Sequence, residues 1–126
     1  MVIYTDTNVI VRLITGDDQE QRRLAVAAVN RYGSAEVFVS DVVLAELFYV
    51  LASPRQYAMS RIDICGALDG LLGTPQFSIS PEARAALMIA AGNKKLDFTD
   101  CLLSVYANGQ KKKLLSFDQD LIKLMK

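Results

Sequence analysis

Val2-Ile3-Tyr4-Thr5-Asp6 is the stretch of sequence that decides the fold, because a short run of β-forming residues leads directly to an acid. The residues from Asn8 to Thr15 are mostly apolar and are followed by Gly16, a pattern that predicts a helix with a glycine stop. A strand followed at once by a helix is the first half of a βαβ unit. Ligands of open parallel sheets bind beyond the carboxyl ends of the strands, so Asp6 lies where a site is expected.

Strand and helix signals alternate along the rest of the chain. Further strands are predicted at residues 37–39, 77–79 and 114–116. Helices are predicted from a cap at Asp17 to near Gly33, from a cap at Asp41 to Ala52, from Ser60 to Gly73, from Ser80 to Gly92 and from about Asp97 to Gly109, with a short helix at the end. Strands separated by helices imply a parallel sheet. Residues 1–126 are therefore predicted to form a single α/β domain with a central parallel sheet flanked by helices.

Composition excludes several kinds of chemistry. The 126 residues carry 14 basic and 14 acidic side chains and no histidine, so mechanisms that need a histidine are excluded. The charges cancel, so any RNA binding has to rely on local patches or a bound cation. Cys65 and Cys101 lie in apolar stretches and are interpreted as small buried side chains in a reducing compartment. No signal peptide precedes the first strand and no apolar run reaches ~18 residues, so a cytoplasmic protein without a membrane span is expected.

Glu46 is the most informative acid. It lies in the run from Val42 to Leu51, in which every neighbour is apolar, so we expect a helix with little solvent-exposed face. A buried carboxylate is costly unless it is paired or binds a metal. Metal binding is the preferred interpretation, and a buried salt bridge to an arginine such as Arg12 is the structural alternative.

Two more acids open the helix near residue 97. Asp97 and Asp100 are three residues apart, which places them on one face near the helix N-terminus. Asp97 is the natural cap, so capping does not explain Asp100, which lies one turn further in.

Asp118 repeats the placing of Asp6, because it follows the predicted last strand. Asp118 or Asp120 could merely cap the final helix, just as a lone Asp6 could cap the first. Taken together, however, the predicted fold brings Asp6, Glu46, Asp100 and Asp118 to one edge of the sheet. Carboxylates within ~5 Å of one another repel, and a hard divalent cation relieves the repulsion. Oxygen ligands without histidine favour Mg²⁺ or Mn²⁺ over Zn²⁺.

The chain resembles the PIN domain family, and within it the VapC-type toxins of toxin–antitoxin pairs. Four segments carry the resemblance: Tyr4 to Leu13, Leu44 to Leu47, Leu96 to Leu103 and Leu115 to Asp118. The family's fold is a three-layer domain with a central parallel sheet. One departure is Cys101, at a position where alanine is common in the family.

The resemblance implies a role for each matching residue. Asp6, Glu46 and Asp100 would be the core metal-binding acids, Asp118 would complete the site, and Asp97 would be an accessory acid. Asn8 and Ser116 would position these acids. Arg12 would contact a phosphate, although it could equally balance the acids.

The implied activity is a metal-dependent endoribonuclease that uses Mg²⁺ or Mn²⁺. The implied partners are RNA, a VapB-type antitoxin that covers the acidic groove, and a second copy in a homodimer. Two alternatives stay open. A haloacid-dehalogenase-like phosphatase also places an aspartate after the first strand, but its second acid would fall at position 8, which is Asn8. The other alternative is a catalytically inert RNA-binding or regulatory module.

Overall fold

The computed structural model describes residues 1–16 and 18–126, and the chain forms two compact units, residues 1–79 and residues 80–126. The predicted fold class is confirmed, since a parallel sheet of three strands is flanked by helices in an α/β arrangement. In the part of the chain that the structure describes, no helix is both long and apolar enough to cross a membrane.

The first unit contains the sheet and four helices. Its elements are β1 (Val2–Tyr4), α1 (Thr7–Thr15), α2 (Gln19–Asn30), β2 (Glu36–Phe38), α3 (Asp41–Ala52), α4 (Arg61–Leu72) and β3 (Phe77–Ser78). The strands are parallel in the order β1-β2-β3, with Ile3 opposite Val37 and Val37 opposite Phe77. Helices therefore connect each strand to the next, as parallel pairing requires.

The core of the first unit lies where α1 packs against α3 and α3 packs against α4. The fully buried side chains there include Ile10, Leu44, Leu47, Leu51 and Leu68. Leu44, Leu47 and Leu51 recur at helical spacing, so one face of α3 supplies three of these side chains. Burial of each such side chain contributes roughly 1.5–3 kcal/mol.

The second unit is helical. It contains α5 (Pro81–Gly92), α6 (Phe98–Gly109) and α7 (Gln119–Ile122). Helices α5 and α6 pack against each other, and Ala86, Ala90, Phe98 and Cys101 are almost completely buried. The small alanine side chains allow close packing in this unit.

Serine hydroxyls cap three of the helices. The Oγ atoms of Ser40, Ser60 and Ser80 accept hydrogen bonds from backbone N–H groups three residues later, which satisfies donors that the helix leaves unpaired. The predicted starts at Ser60 and Ser80 are confirmed. The predicted cap at Asp41 is wrong, because Ser40 caps α3 and Asp41 is its first helical residue. The predicted cap at Asp17 lies outside the described residues, and the N-cap of α2 is Asp18.

The predicted last strand is not formed. Residues 112–116 adopt no regular secondary structure, and the sheet in the described chain has three strands. Leu115 is 98% exposed and Phe117 is fully exposed, so these apolar side chains are not packed in the core. A β-rich sequence forms a strand only where a neighbouring backbone supplies the ladder hydrogen bonds, and this segment has no such pairing.

Candidate metal centre

Asp6 follows the carboxyl end of β1 and caps α1. Its Oδ1 atom accepts a hydrogen bond of 3.1 Å from the backbone N–H of Val9, and its side chain is exposed. The capping alternative is thus correct as far as Oδ1 is concerned. Within the described chain Oδ2 carries no hydrogen bond, so the same carboxylate retains an oxygen that can bind a cation.

Glu46 is exposed on α3, and the expectation that this helix lacks a solvent-facing side is wrong. Val42 is 75% exposed and Tyr49 is 79% exposed, so residues at helical spacing form an exposed stripe around the carboxylate. The apolar sequence misled because α3 buries one face while its other face is equally apolar. The predicted alternative, a salt bridge between Glu46 and Arg12, is absent from the described chain.

Asp6 and Glu46 belong to helices that start on the same side of the sheet. Helix α1 begins after the carboxyl end of β1, and α3 begins after the carboxyl end of the adjacent parallel strand β2. The two helices also pack against each other. This is the edge at which open parallel sheets bind ligands.

Asp97 and Asp100 open α6, as predicted. Asp97 is the N-cap residue, but its side chain makes no capping hydrogen bond in the described structure. Its backbone interacts with the Asp100 carboxylate and lowers the pKa of that group.

The pKa of Asp100 is raised above its usual value. Partial burial is the largest cause, and repulsion from the Asp97 carboxylate and from the Asp118 carboxylate adds to it. The hydrogen bond from the Asp97 backbone acts in the opposite direction and lowers the pKa. Three acids of the second unit therefore share one local electrostatic field.

Asp118 caps α7 and is itself held by Ser116. The Asp118 Oδ1 atom accepts hydrogen bonds from the backbone N–H groups of Asp120 at 2.9 Å and Leu121 at 3.3 Å. The Ser116 hydroxyl accepts a 3.0 Å hydrogen bond from the Asp118 N–H. Capping by Asp118 is thus present, and the Ser116 contact fits a positioning role for that serine.

Asn8 and Arg12 both lie on α1. Asn8 is exposed in the first turn, and no hydrogen bond joins it to an acid in the described chain. Arg12 is half-buried in the last turn, so the length of α1 separates it from Asp6.

The family model for the PIN domain matches residues 3–126. The chain belongs to the PIN domain family. The match spans the five predicted metal-binding acids and covers almost the whole chain. No curated protein matches the sequence.

PIN domains are generally nucleases, and membership of the family supports a hydrolase of the nuclease kind. PIN domain nucleases bind RNA and typically use divalent metal ions. The donor set of this PIN domain suits such an ion, because all five predicted ligands are carboxylates and Mg²⁺ and Mn²⁺ prefer oxygen. Repulsion from the Asp97 and Asp118 carboxylates contributes to the raised pKa of Asp100, after partial burial.

The described residues do not form a ready-made chelating cluster, however. No group of three or more Asp, Glu, His or Cys side chains within them is arranged to hold a metal ion.

The cysteines of this PIN domain are not candidate nucleophiles. Cys101 is completely buried, and partial burial raises the pKa of Cys65, so its thiol stays protonated near neutral pH. The prediction that both are buried side chains is confirmed for Cys101 and wrong for Cys65, which is only partly buried.

Sequence reasoning missed a cavity beside Asp6. It has a volume of about 340 Å³ and lies within the first unit. Its lining includes Tyr4 and Tyr32, which are 28 residues apart in the sequence, so no local motif connects them. The only available signal was the position of Tyr4 two residues before a predicted catalytic acid.

Proposed function

We propose that this PIN domain is a metal-dependent endoribonuclease and that it is the toxin of a VapBC-type toxin–antitoxin pair. The observation that carries the proposal is that five carboxylates without an ion-pair partner among the described residues lie within a PIN match that covers nearly the whole chain. They are Asp6, Glu46, Asp97, Asp100 and Asp118. None of these carboxylates forms an ion pair in the described chain. In the second unit the Asp97 and Asp118 carboxylates repel the Asp100 carboxylate, and a bound cation would relieve repulsion of this kind.

The proposed ligands are Asp6, Glu46, Asp100 and Asp118, with Asp97 as an accessory acid. A Mg²⁺ or Mn²⁺ ion bound there lowers the pKa of a water molecule and neutralises charge on the phosphate. The Asp6 carboxylate is oriented for this task by its bond from Val9, and Asp118 is oriented by the two N–H groups that it caps.

Polar side chains around the acids have supporting roles in the proposal. Ser116 holds the start of α7 and with it the Asp118 carboxylate. Asn8 positions Asp6 from the same turn of α1, and Arg12 contacts a phosphate of the RNA. Hydrolysis by water leaves a 5′-phosphate and a 3′-hydroxyl.

The toxin assignment adds partners to the reaction. A VapB-type antitoxin would cover the acidic site, and two copies of the toxin would form a homodimer in the cytoplasm. The sequence resemblance supports this part of the proposal. So do exposed apolar side chains in each unit: Val42 and Tyr49 in the first, and Met88 and Phe117 in the second.

The test is cleavage of purified RNA with Mg²⁺ or Mn²⁺ and with excess EDTA. The proposal predicts cutting that depends on the metal, that leaves 5′-phosphate ends, and that falls at least about 100-fold in Asp6→Asn. Asp18→Asn is the matched control, because Asp18 caps α2 in the same way without belonging to the proposed site. Full cleavage in EDTA would exclude the mechanism.

The second candidate is an inert RNA-binding module. The absence of a ready-made metal cluster among the described residues favours this candidate. It predicts the same RNA affinity with and without Mn²⁺ and no cleavage products in either case. Any metal-dependent product that Asp6→Asn removes would rule it out.

A further inference from the structure

The cavity beside Asp6 combines two aromatic residues with a carboxylate. We call it the tyrosine cavity and define it by Tyr4, Thr5, Asp6, Val9 and Tyr32, with Ile3, Ala28, Val29 and Val37 completing its lining. Its volume of about 340 Å³ is at the lower end of the range of small-ligand sites, about 300–1,000 Å³. A cavity of this size suits one planar group and not an extended chain.

Both tyrosines are accessible, and structural contacts fix the ring of Tyr4 and the backbone of Tyr32. Tyr4 is 72% exposed, and its ring lies 5.2 Å from the ring of Phe38 with an interplanar angle of 57°. Tyr32 is 47% exposed, and its backbone is fixed by hydrogen bonds to Val29 at 3.2 Å and from Ala35 at 3.2 Å. The ring of Tyr4 is already positioned before a ligand binds, which favours affinity.

The carboxylate on the wall restricts what the cavity can hold. A purely apolar group would remove water from Asp6 without replacing its hydrogen bonds, which is unfavourable. An anionic group would be repelled. A nucleobase is neither purely apolar nor anionic. It has two π faces that can stack on a tyrosine ring, and N–H groups that can donate hydrogen bonds to the carboxylate.

We propose that the tyrosine cavity binds one unpaired nucleobase of the RNA strand, next to the phosphate that is cut. This inference rests on the proposed function, in which Asp6 belongs to the cleavage centre. Tyr32 and Tyr4 are then specificity-determining residues that favour single-stranded RNA, because a paired base has to give up its pairing and stacking energy to enter the cavity.

The first test is steady-state cleavage of a single-stranded oligoribonucleotide by the full chain. Tyr32→Ala raises KM by about 5- to 150-fold, the range expected for loss of one stacked base, and leaves kcat within threefold. Tyr32→Phe keeps the ring and keeps KM near the wild-type value. Tyr57→Ala, a tyrosine of the same unit outside the cavity, is the matched control and leaves KM unchanged. Equal KM values for the wild type and Tyr32→Ala would overturn the proposal.

The second test does not need cleavage. The same RNA carrying 2-aminopurine is titrated with protein in EDTA, and stacking quenches its fluorescence. The quench is expected with the wild type and Tyr32→Phe, and it is lost with Tyr32→Ala and reduced with Tyr4→Ala, which serves if Tyr32→Ala does not fold. Undiminished quenching in both alanine variants, or equal affinity for a fully paired duplex, would overturn the proposal.

The two tests separate this inference from the proposed function. Loss of the quench in Tyr32→Ala without any cleavage by the wild type would support the nucleobase site and contradict the nuclease. Metal-dependent cleavage that is insensitive to both tyrosines would support the nuclease and contradict the nucleobase site.

Discussion

Two aspartates that cap consecutive helices allow the structural role of Asp6 to be separated from its proposed catalytic role. The Oδ1 atom of Asp6 accepts a 3.1 Å hydrogen bond from Val9 N–H, and the Oδ1 atom of Asp18 accepts a 3.1 Å hydrogen bond from Gln21 N–H. Both aspartates are exposed. They are equivalent as caps, and only Asp6 follows a strand of the sheet.

The capping contribution predicts equal effects on stability. Replacing either aspartate with alanine removes one capping bond and lowers the free energy of unfolding by about 1 kcal/mol, which corresponds to about 3–5 °C in Tm for a chain of this size. Replacing either with asparagine keeps an oxygen that accepts the N–H, so the free energy of unfolding changes by less than about 0.5 kcal/mol.

The catalytic contribution predicts unequal effects on activity. Asp6→Asn removes a charge that the proposed cation needs and lowers the rate of RNA cleavage by about 100-fold or more, while Asp18→Asn leaves it within twofold. Thermal melts and cleavage rates are measured on the same preparations of the wild type and the four variants. Equal cleavage by the two asparagine variants would refute the reasoning, because Asp6 would then be no more than a cap.

Three further outcomes follow from the structure. Leu47→Ala opens a cavity at a fully buried position and lowers the free energy of unfolding by about 2–5 kcal/mol in urea melts. Val42→Ala on the exposed stripe changes the free energy of unfolding by less than about 0.5 kcal/mol. Similar losses in the two variants would contradict the assigned faces of α3. Folding raises the pKa of Asp100. Between the usual pKa of an aspartate and this higher pKa, the folded protein therefore binds more protons than the unfolded chain. The free energy of unfolding falls as pH rises through that window. Asp100→Asn removes this pH dependence, and at pH 7 it also removes about 0.2–0.5 kcal/mol of repulsion per like-charged neighbour. Urea melts of both proteins at pH 3 and pH 7 measure the effect. The same pH dependence in the wild type and the variant would contradict the prediction. Ser116→Ala removes the hydrogen bond that holds Asp118 and lowers kcat by a few-fold without changing KM, whereas Ser116→Thr retains the hydroxyl and the rate; a rate unaffected by the alanine change would remove Ser116 from the positioning role.

The parts of the fold that sequence could predict are those governed by local chemistry. The caps at Ser60 and Ser80 and the start of α6 at Asp97 are local signals, because a hydroxyl or carboxylate and a following apolar run suffice to define them. The parallel arrangement also followed from the alternation of strands and helices.

Other parts depend on long-range partners, which one sequence does not contain. Residues 114–116 have strand-forming side chains but no paired backbone in the described structure. Glu46 has apolar neighbours along the chain, yet helical periodicity places it with Val42 and Tyr49 on the face that stays in water. The tyrosine cavity joins Tyr4 to Tyr32 only through folding.

The most direct test of the central claim is calorimetric titration of Mn²⁺ into the protein without RNA. The account predicts saturable binding that weakens at least about 10-fold in each of Asp6→Asn, Glu46→Gln and Asp100→Asn, and that is unchanged in Asp18→Asn. Equal Mn²⁺ affinity in all four variants, or no binding by a wild-type protein that still cuts RNA, would contradict it.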